Sequence, residues 1–239
     1  DLTVNKYSSF SNNYAEASAS GTLASARGGA LYLTDGTKAA LGQDISFTGN
    51  YTSVNGNGPS QGGAIYVAAN ALAIDTATFT QNKATSTAGG QGGAVYYAAA
   101  SGSTVTGSTF DRHEAAQGGA IFANGGGTFT ATDTDFTGNT ASANGGAAFV
   151  DTTTPGGATF VIDAATKAVT ISGNTANGAA NAFYFGAAGA TASIGSSALT
   201  LRGTEELSLP DGFKFEMLTT GDFALNHNNT GTVTLVCQV

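Results

Sequence analysis

The sequence predicts an all-β protein, a right-handed parallel β-helix of about six clear coils followed by a degenerate C-terminal cap. Two short motifs alternate along the 239 residues. The shortest repeating unit is about 26 residues long, which fits one coil of three short strands. No stretch of the chain shows the apolar spacing that is typical of an amphipathic helix.

The first motif is Gly-Gly-Ala followed by an aliphatic residue, and it predicts a corner that leads into a strand. Two glycines permit a tight turn, including positive φ, without the penalty of a Cβ atom. Side chains then alternate between the strand's faces, and we expect Leu31, Leu33 and their counterparts to face inward. The copies begin at Gly28, Gly62, Gly92, Gly118 and Gly145, and the last has Ala148 at the aliphatic position.

The second motif is Phe-x-x-Asn, which predicts an inward aromatic residue followed by a turn. We expect the phenylalanine to fill the coil from another wall. Stacked asparagine amides can bond to each other and to the turn backbone, so one column would satisfy the turns along the solenoid. The expected ladder residues are Asn13, Asn50, Asn82, His113, Asn139 and Asn174.

The length of the repeat varies mostly in one segment, between Phe-x-x-Asn and the next Gly-Gly pair. This segment becomes shorter along the chain and is rich in Ser, Thr, Gly and Asn, which is loop composition. We expect these loops to emerge from one edge of the solenoid and to carry binding, because recognition usually lies on loops of a rigid scaffold. The three longer segments are residues 12–26, 51–61 and 83–91.

One aromatic residue per coil lies on the strand face opposite to the expected inward face. One interpretation is a stack that stabilises the wall, either inside the coil or beneath an overlying loop. The other is an exposed ladder that binds a sugar chain or a partner protein. The sequence leaves the orientation of this column open. The possible binding aromatics are Tyr32, Tyr66, Tyr96, Phe122, Phe149 and Tyr184.

Charge and cysteine content exclude several classes of function. Eight Lys+Arg against sixteen Asp+Glu give a net charge of −8, which argues against a nucleic-acid partner and against docking on anionic lipid. The single cysteine, Cys237, permits neither an internal disulfide nor a zinc site. No apolar run approaches the roughly 18 residues of a spanning helix, so we expect no membrane insertion of this segment. We expect no cofactor and no metal.

The densest charge cluster consists of Asp111, Arg112, His113 and Glu114, and the next coil brings Asp133 and Asp135 nearby. Stacked carboxylates on a β-helix wall form the sites of some polysaccharide lyases and glycosidases, so a catalytic or metal role is one interpretation. The other is a solvated ion-pair patch in which His113 takes an asparagine position of the ladder. We favour the second and expect no catalysis.

The alternation of the two motifs resembles the passenger domains of the chlamydial polymorphic membrane proteins. The resemblance covers residues 10–185 and rests on nine close copies between Phe10 and Ala148, with a further variant at residues 171–174. It implies a β-helical autotransporter passenger at the cell surface, associated with the outer membrane or secreted. It also implies an adhesin associated with virulence, whose partner is a protein or glycan on a host or neighbouring cell.

We expect two regions, a β-helix repeat domain over residues 1–189 and atypical C-terminal coils or a cap over residues 190–239. A cap is expected because an open solenoid end exposes unpaired strand edges. A sixth coil is expected where residues 182–185 align with residues 30–33. Beside the leading hypothesis of a non-enzymatic adhesin, two alternatives remain: a carbohydrate-active β-helix lyase or glycosidase, and a structural subunit of a surface layer or filament that associates end to end.

Overall fold

The structure is a computed structural model that describes residues 2–18, 24–34, 39–68, 71–98, 102–124, 127–151, 158–167 and 169–186, and short strands after residue 190. Every regular element in this part is a β-strand, and the strands form four sheets, A to D. Among the described residues there is no helix with the length and hydropathy that a membrane crossing needs.

Sheets A and B form the first two walls of each coil. Sheet A contains β1 (Leu2–Val4), β6 (Ala39–Leu41), β11 (Leu72–Asp75), β16 (Ser103–Thr106), β20 (Gly127–Thr132), β24 (Ala158–Ala164), β29 (Thr191–Ser196) and β32 (Lys214–Met217). Sheet B contains β2 (Ser9–Ser11), β7 (Ser46–Thr48), β12 (Thr78–Thr80), β17 (Thr109–Asp111), β21 (Asp135–Thr137), β25 (Val169–Ser172), β30 (Leu199–Arg202) and β33 (Leu225–His227).

Sheets C and D complete the coil. Sheet C contains β3 (Tyr14–Ser18), β4 (Ala26–Arg27), β8 (Tyr51–Asn55), β9 (Ser60–Gln61), β13 (Lys83–Ser86), β14 (Gly90–Gln91), β18 (Glu114–Gln117), β22 (Thr140–Asn144), β26 (Thr175–Ala176) and β27 (Ala179–Ala180). Sheet D contains β5 (Leu31–Leu33), β10 (Ile65–Val67), β15 (Val95–Tyr97), β19 (Ile121–Ala123), β23 (Ala148–Val150), β28 (Phe183–Phe185), β31 (Glu205–Leu209) and β34 (Val233–Cys237).

The chain passes through sheets A, B, C and D and then returns to A one coil further on, which is the topology of a parallel β-helix. Neighbouring strands are parallel apart from the short antiparallel pair β26–β27. The predicted fold class is therefore confirmed. The expected coil of three strands is wrong, because each regular coil also contains a strand of sheet C.

The sequence did not predict sheet C because the buried side chains of this sheet are small. Thr52, Ala84 and Ala141 are almost fully buried, and Thr52 and Ala84 are directly paired in register. Alanine and threonine bury little apolar area, so they leave no clear alternation of hydrophobic and polar residues. The first part of each variable segment is consequently a strand, and only its second part is a loop.

The interior contains the two motif columns that the sequence predicted to face inward, together with inward residues of sheet A such as Leu41 and Ile74. In sheet D, Leu31 pairs with Ile65, and the same register continues through Val95, Ile121 and Ala148 to Phe183. The prediction of a sixth coil at residues 182–185 is thus confirmed. These residues belong to the main hydrophobic core, where Phe183 contacts the ring of Phe160 at 5.5 Å between centroids.

The phenylalanines of Phe-x-x-Asn form a continuous stack inside the coil. Successive ring centroids from Phe10 to Phe47, Phe79 and Phe110 are 4.7, 4.8 and 4.6 Å apart, and the rings are within 5° of parallel. Such near-identical placement requires successive coils with little relative rotation. The stacked rings thus hold these four strands of sheet B in nearly the same orientation.

The two glycines of each corner have different roles. The first has positive φ, from +59° at Gly28 to +67° at Gly145, as the turn was predicted to require. The second is needed for space: a Cβ on Gly63 would lie 2.1 Å from the carbonyl oxygen of Gly93 and 2.5 Å from that of Lys83. The second glycine thus allows sheet C and the next corner to approach backbone to backbone.

Strand pairing continues beyond residue 190. The pairs β24–β29, β25–β30 and β28–β31 are parallel and extend sheets A, B and D. The division of the chain at residue 189 stays a prediction. Cys237 is the last residue of β34 and pairs with Leu209, but its side chain lies outside the described residues.

Candidate binding surface

The six ladder positions lie in one column at the corner between sheets B and C. The side-chain oxygen Oδ1 of Asn50 accepts hydrogen bonds from the backbone N–H of Asn13 at 3.0 Å and from its Nδ2 at 2.9 Å. Asn50 Nδ2 in turn donates to Asn82 Oδ1 at 2.9 Å and to the carbonyl of Phe10 at 3.0 Å. Asn139 and Asn174 repeat this pattern.

His113 occupies the ladder position of the fourth coil and changes the bonding there. Its Nδ1 accepts the backbone N–H of Asn82 at 2.9 Å, and its own backbone N–H donates to Asn139 Oδ1 at 3.0 Å. The side chain is fully buried, and burial lowers the pKa of the imidazole to about 3. Among the described residues Nε2 forms no well-aligned hydrogen bond, so the ring is a neutral structural substitute for an amide.

The backbone residue before each ladder position has a left-handed conformation. In three coils this residue is glycine, at Gly49, Gly138 and Gly173. In the other three coils it is Asn12, Gln81 and Arg112, with φ of 55°, 54° and 56°. A side chain at these corners is therefore tolerated although only glycine adopts the conformation without a penalty.

The six predicted aromatic residues form a second stack on the outer face of sheet D, separate from the main core. Successive ring centroids are 4.9 to 5.2 Å apart. Tyr66, Tyr96, Phe122 and Phe149 are buried, whereas Tyr32 is 48% exposed. The geometry fits the interpretation of a covered stack that stabilises the wall, since the four middle rings offer no free face to a sugar chain.

A row of amide side chains runs along the strand ends of sheet C, just before the glycine corners. This row was not predicted from the sequence. Arg27 Nε donates to Gln61 Oε1 at 3.0 Å, and Gln61 Nε2 donates to Gln91 Oε1 at 2.9 Å. Gln91 Nε2 then donates to Gln117 at 3.3 Å. The available sequence signal was a glutamine immediately before Gly-Gly in three copies. Arg27 also lies 5.1 Å from the ring of Tyr66, linking this row to the aromatic column.

The carboxylates of the charge cluster do not converge on a common site. Asp111 accepts Arg112 Nε at 2.7 Å and Thr137 Oγ1 at 2.8 Å, while Glu114 forms an ion pair with Lys83. In the part of the chain that the structure describes, no three His, Cys, Asp or Glu residues are grouped closely enough to hold a metal ion.

Asp133 and Asp135 hold the following turn instead. Asp133 accepts hydrogen bonds from the backbone N–H of Thr166 at 2.9 Å, from its hydroxyl at 2.5 Å and from the backbone N–H of Lys167 at 3.2 Å. Burial alone would raise the pKa of Asp133, but these hydrogen bonds outweigh it and the pKa is lowered. Asp135 pairs with Lys167 Nζ at 3.0 Å. Both residues therefore have structural partners.

The variable segments leave sheet C at the ends of β3, β8 and β13 and return at β4, β9 and β14. The returning strands are paired in register, so the strands that flank all three segments, which we call the excursions, lie along one edge. Thr87 Oγ1 donates to the Gly56 carbonyl at 2.5 Å, which joins the second and third excursions. Residues 19–23 of the first excursion lie outside the described residues. In the fourth coil β18 pairs with both β13 and β14, so this excursion is absent there.

The model of the Chlamydia polymorphic membrane protein (Chlamydia_PMP) repeat matches residues 44–68 and 133–151. Both stretches begin at a corner residue with positive φ, Asp44 or Asp133, and pass through sheets B, C and D. The repeats of this chain resemble those of the polymorphic membrane proteins. The family indicates a surface protein of the autotransporter type, associated with the outer membrane or cell surface, and it is not an enzyme family. No curated protein and no solved structure matches the chain significantly.

The two matched stretches differ in one part of the repeat as it occurs in this chain. Residues 44–68 include the excursion at 56–59, whereas residues 133–151 pass from β22 to β23 without one. The ladder residue, the glycine corner and the inward strand are present in both. The repeat is thus a constant structural unit with an optional loop at the edge of sheet C.

Proposed function

We propose that this chain is an adhesin-like, non-enzymatic passenger domain that attaches to the surface of a host cell or a neighbouring cell. The observation that carries the proposal is the position of the three excursions, which emerge side by side from one edge of the coil stack. The resemblance to the polymorphic membrane protein repeats supports a location at the cell surface, in association with the outer membrane or after secretion.

The scaffold beneath the excursions is well suited to present them. Stacked phenylalanines and amide hydrogen bonds fix the first three coils, which carry the excursions, relative to one another. Loop-closure entropy grows slowly with loop length, so this edge tolerates length changes without much loss of stability. Binding is expected in the N-terminal half, where all three excursions occur.

The absence of catalysis is supported by how the carboxylates are used. A glycosidase needs two carboxyl groups facing the same bond, one acting as an acid. Here Asp111, Glu114, Asp133 and Asp135 are each bound to neighbouring side chains or backbone N–H groups. The net charge of −8 adds support for a protein or glycan partner rather than nucleic acid.

The test is a variant in which the three excursions are shortened to the direct path of β18. We expect the far-UV circular dichroism spectrum and melting temperature to stay close to the parent values, and attachment to cells to be lost. A matched control replaces the exposed Thr104 and Thr106 of sheet A with alanine, and it should attach normally. Full attachment by the folded, trimmed variant would refute the proposal and direct attention to the aromatic column and its exposed Tyr32.

A further inference from the structure

Arg112 is one of three non-glycine residues at the left-handed corners before the ladder, together with Asn12 and Gln81. The corner imposes a left-handed backbone, and the equivalent residues of the next two coils are Gly138 and Gly173. Arginine adopts this conformation less readily than glycine. Since Asn12 and Gln81 occupy the same corner in other coils, the backbone conformation does not itself select an arginine at residue 112.

The guanidinium group of Arg112 is held in a defined orientation. Asp111 accepts its Nε at 2.7 Å, and the second oxygen of Asp111 is fixed by the Thr137 hydroxyl at 2.8 Å. Gly138 lies against the stem of the side chain, since a Cβ there would be 3.2 Å from Arg112 Cγ. No described residue binds the two terminal nitrogens, and the side chain is 61% exposed. These nitrogens are therefore free to bind a ligand.

A surface depression of about 330 Å³ adjoins this guanidinium group. The Lys83–Glu114 ion pair lines it, together with the polar side chains of Gln81 and Thr140. Its volume lies at the lower end of the range of small-molecule sites. The depression thus combines a positioned cation, a carboxylate, a hydroxyl group and an amide within the space of one small polar molecule.

We propose that this depression binds an acidic sugar residue that carries a carboxylate, such as a uronic acid. The terminal nitrogens of a guanidinium form two parallel hydrogen bonds with a carboxylate, and Asp111 occupies only Nε. Glu114, Gln81 and Thr140 offer acceptors and donors to sugar hydroxyl groups. The inference deepens the proposed adhesion function and rests on it, because it assigns a glycan to one of the surfaces that would meet the other cell.

The test is a titration of the folded chain with glucuronate, followed by two-dimensional NMR. We expect saturable shifts at residues 81–83, 112–114 and 138–140, and no such response to glucose. Arg112→Gly removes the guanidinium while keeping a residue suited to the corner, and it should weaken binding about tenfold or more. Asn12→Gly makes the same kind of change at the same corner three coils earlier, and it should bind glucuronate normally.

Several outcomes would overturn this assignment. They are no saturable response to glucuronate, an equal response to glucose, or unchanged binding by folded Arg112→Gly. Equal binding of acetate would reduce the site to one for any carboxylate and overturn the sugar assignment. Because the titration uses no cells, its failure leaves loop-mediated attachment standing. Failure of the trimmed variant to lose attachment, by contrast, would count against the excursions and not against the depression.

Discussion

The imidazole Nδ1 of His113 accepts the backbone N–H of Asn82 at 2.9 Å, in a column where the other five coils have asparagine. An asparagine in this position would also accept from Asn82 Nδ2 and donate to a Phe carbonyl, as Asn139 does with Phe110. His113 does not accept from Asn82 Nδ2, and among the described residues its buried Nε2 forms no well-aligned hydrogen bond, although it interacts weakly with the backbone of Phe79. The amide ladder is therefore interrupted at one coil.

His113→Asn should restore the ladder and stabilise the protein. The gain is a side-chain hydrogen bond and the removal of a poorly satisfied buried donor, which together are expected to add about 1–2 kcal/mol to the free energy of unfolding. Urea denaturation measures it. A matched control is Asn82→His, which introduces a second interruption and should destabilise. A His113→Asn protein that is less stable than the parent would show that the imidazole packs better than the amide.

The buried His113 also predicts a pH dependence of stability. Its pKa is about 3 in the folded protein and 6.5 in the unfolded chain, so the unfolded state binds the proton first as the pH falls. Its contribution is fully present above pH 6.5 and is lost progressively down to pH 3. At pH 5 the loss is about 2 kcal/mol. The chain has a second histidine, His227, so the contribution of His113 is measured as the difference between the parent and a variant without this imidazole.

Denaturant unfolding at pH 7, 6 and 5 checks this dependence. The His113→Asn variant has no group that titrates at this position, and its stability should change much less over the same range. A parent protein whose free energy of unfolding is constant from pH 7 to pH 5 would contradict the burial of a neutral imidazole in the ladder.

Gly63→Ala should be strongly destabilising although its φ is not in the left-handed region. The new Cβ would lie 2.1 Å from the backbone carbonyl oxygen of Gly93, and backbone cannot move aside as a flexible side chain can. We expect a loss of about 3 kcal/mol or more. Gly178→Ala is the matched control: it has φ of +75° and nothing within 4 Å, so it isolates the conformational penalty, about 1–2 kcal/mol. Equal losses in the two variants would argue against the close approach.

Tyr97→Phe should stabilise the protein. The Tyr97 ring is fully buried on the inward face of β15, its hydroxyl has no hydrogen-bond partner, and burial raises the pKa of the phenol. Removing the hydroxyl should add about 1 kcal/mol or more to the free energy of unfolding. Tyr96→Phe is the control on the outer face, where the hydroxyl accepts from Asn124 at 3.2 Å and its removal should not stabilise. Thermal denaturation of both variants gives the comparison.

The sequence allowed the interior to be predicted wherever one residue type recurs at one coil position. The phenylalanine stack and the inward strand of sheet D are of this kind, because stacking in register requires the same side chain in every coil. Sheet C was missed because Thr52, Ala84 and similar small residues give no hydrophobic period. The sequence did not reveal why the second glycine of each corner is needed. Its role is to leave space for the backbone of the neighbouring coil, and that distance is known only from the structure.

The partners of the carboxylates in the charge cluster could not be predicted from the sequence. Clustering along the chain suggested that Asp133 and Asp135 lie near Asp111 and Glu114 in a solvated ion-pair patch. The structure places Asp133 in a buried position, with its carboxylate bound by the turn at Thr166 and Lys167. Which turn a carboxylate binds depends on the next coil, and chain order alone does not reveal it.

Asp133→Ala should therefore destabilise the protein, whereas Glu114→Ala should not. Asp133 is buried and accepts hydrogen bonds from two backbone N–H groups and one hydroxyl of the exposed residues Thr166 and Lys167, so its loss removes these bonds and should cost about 1–2 kcal/mol. The Glu114 side chain is 57% exposed, and its ion pair with Lys83 is worth about 0–1 kcal/mol. Urea denaturation at pH 7 separates the two cases.

Because hydrogen bonding lowers the pKa of Asp133, its contribution is present at neutral pH and is lost as the pH falls through the acidic range. Asp133→Asn, which cannot ionise, should remove that part of the acid dependence. Equal stabilities of the two alanine variants would contradict the placement of Asp133 at the turn.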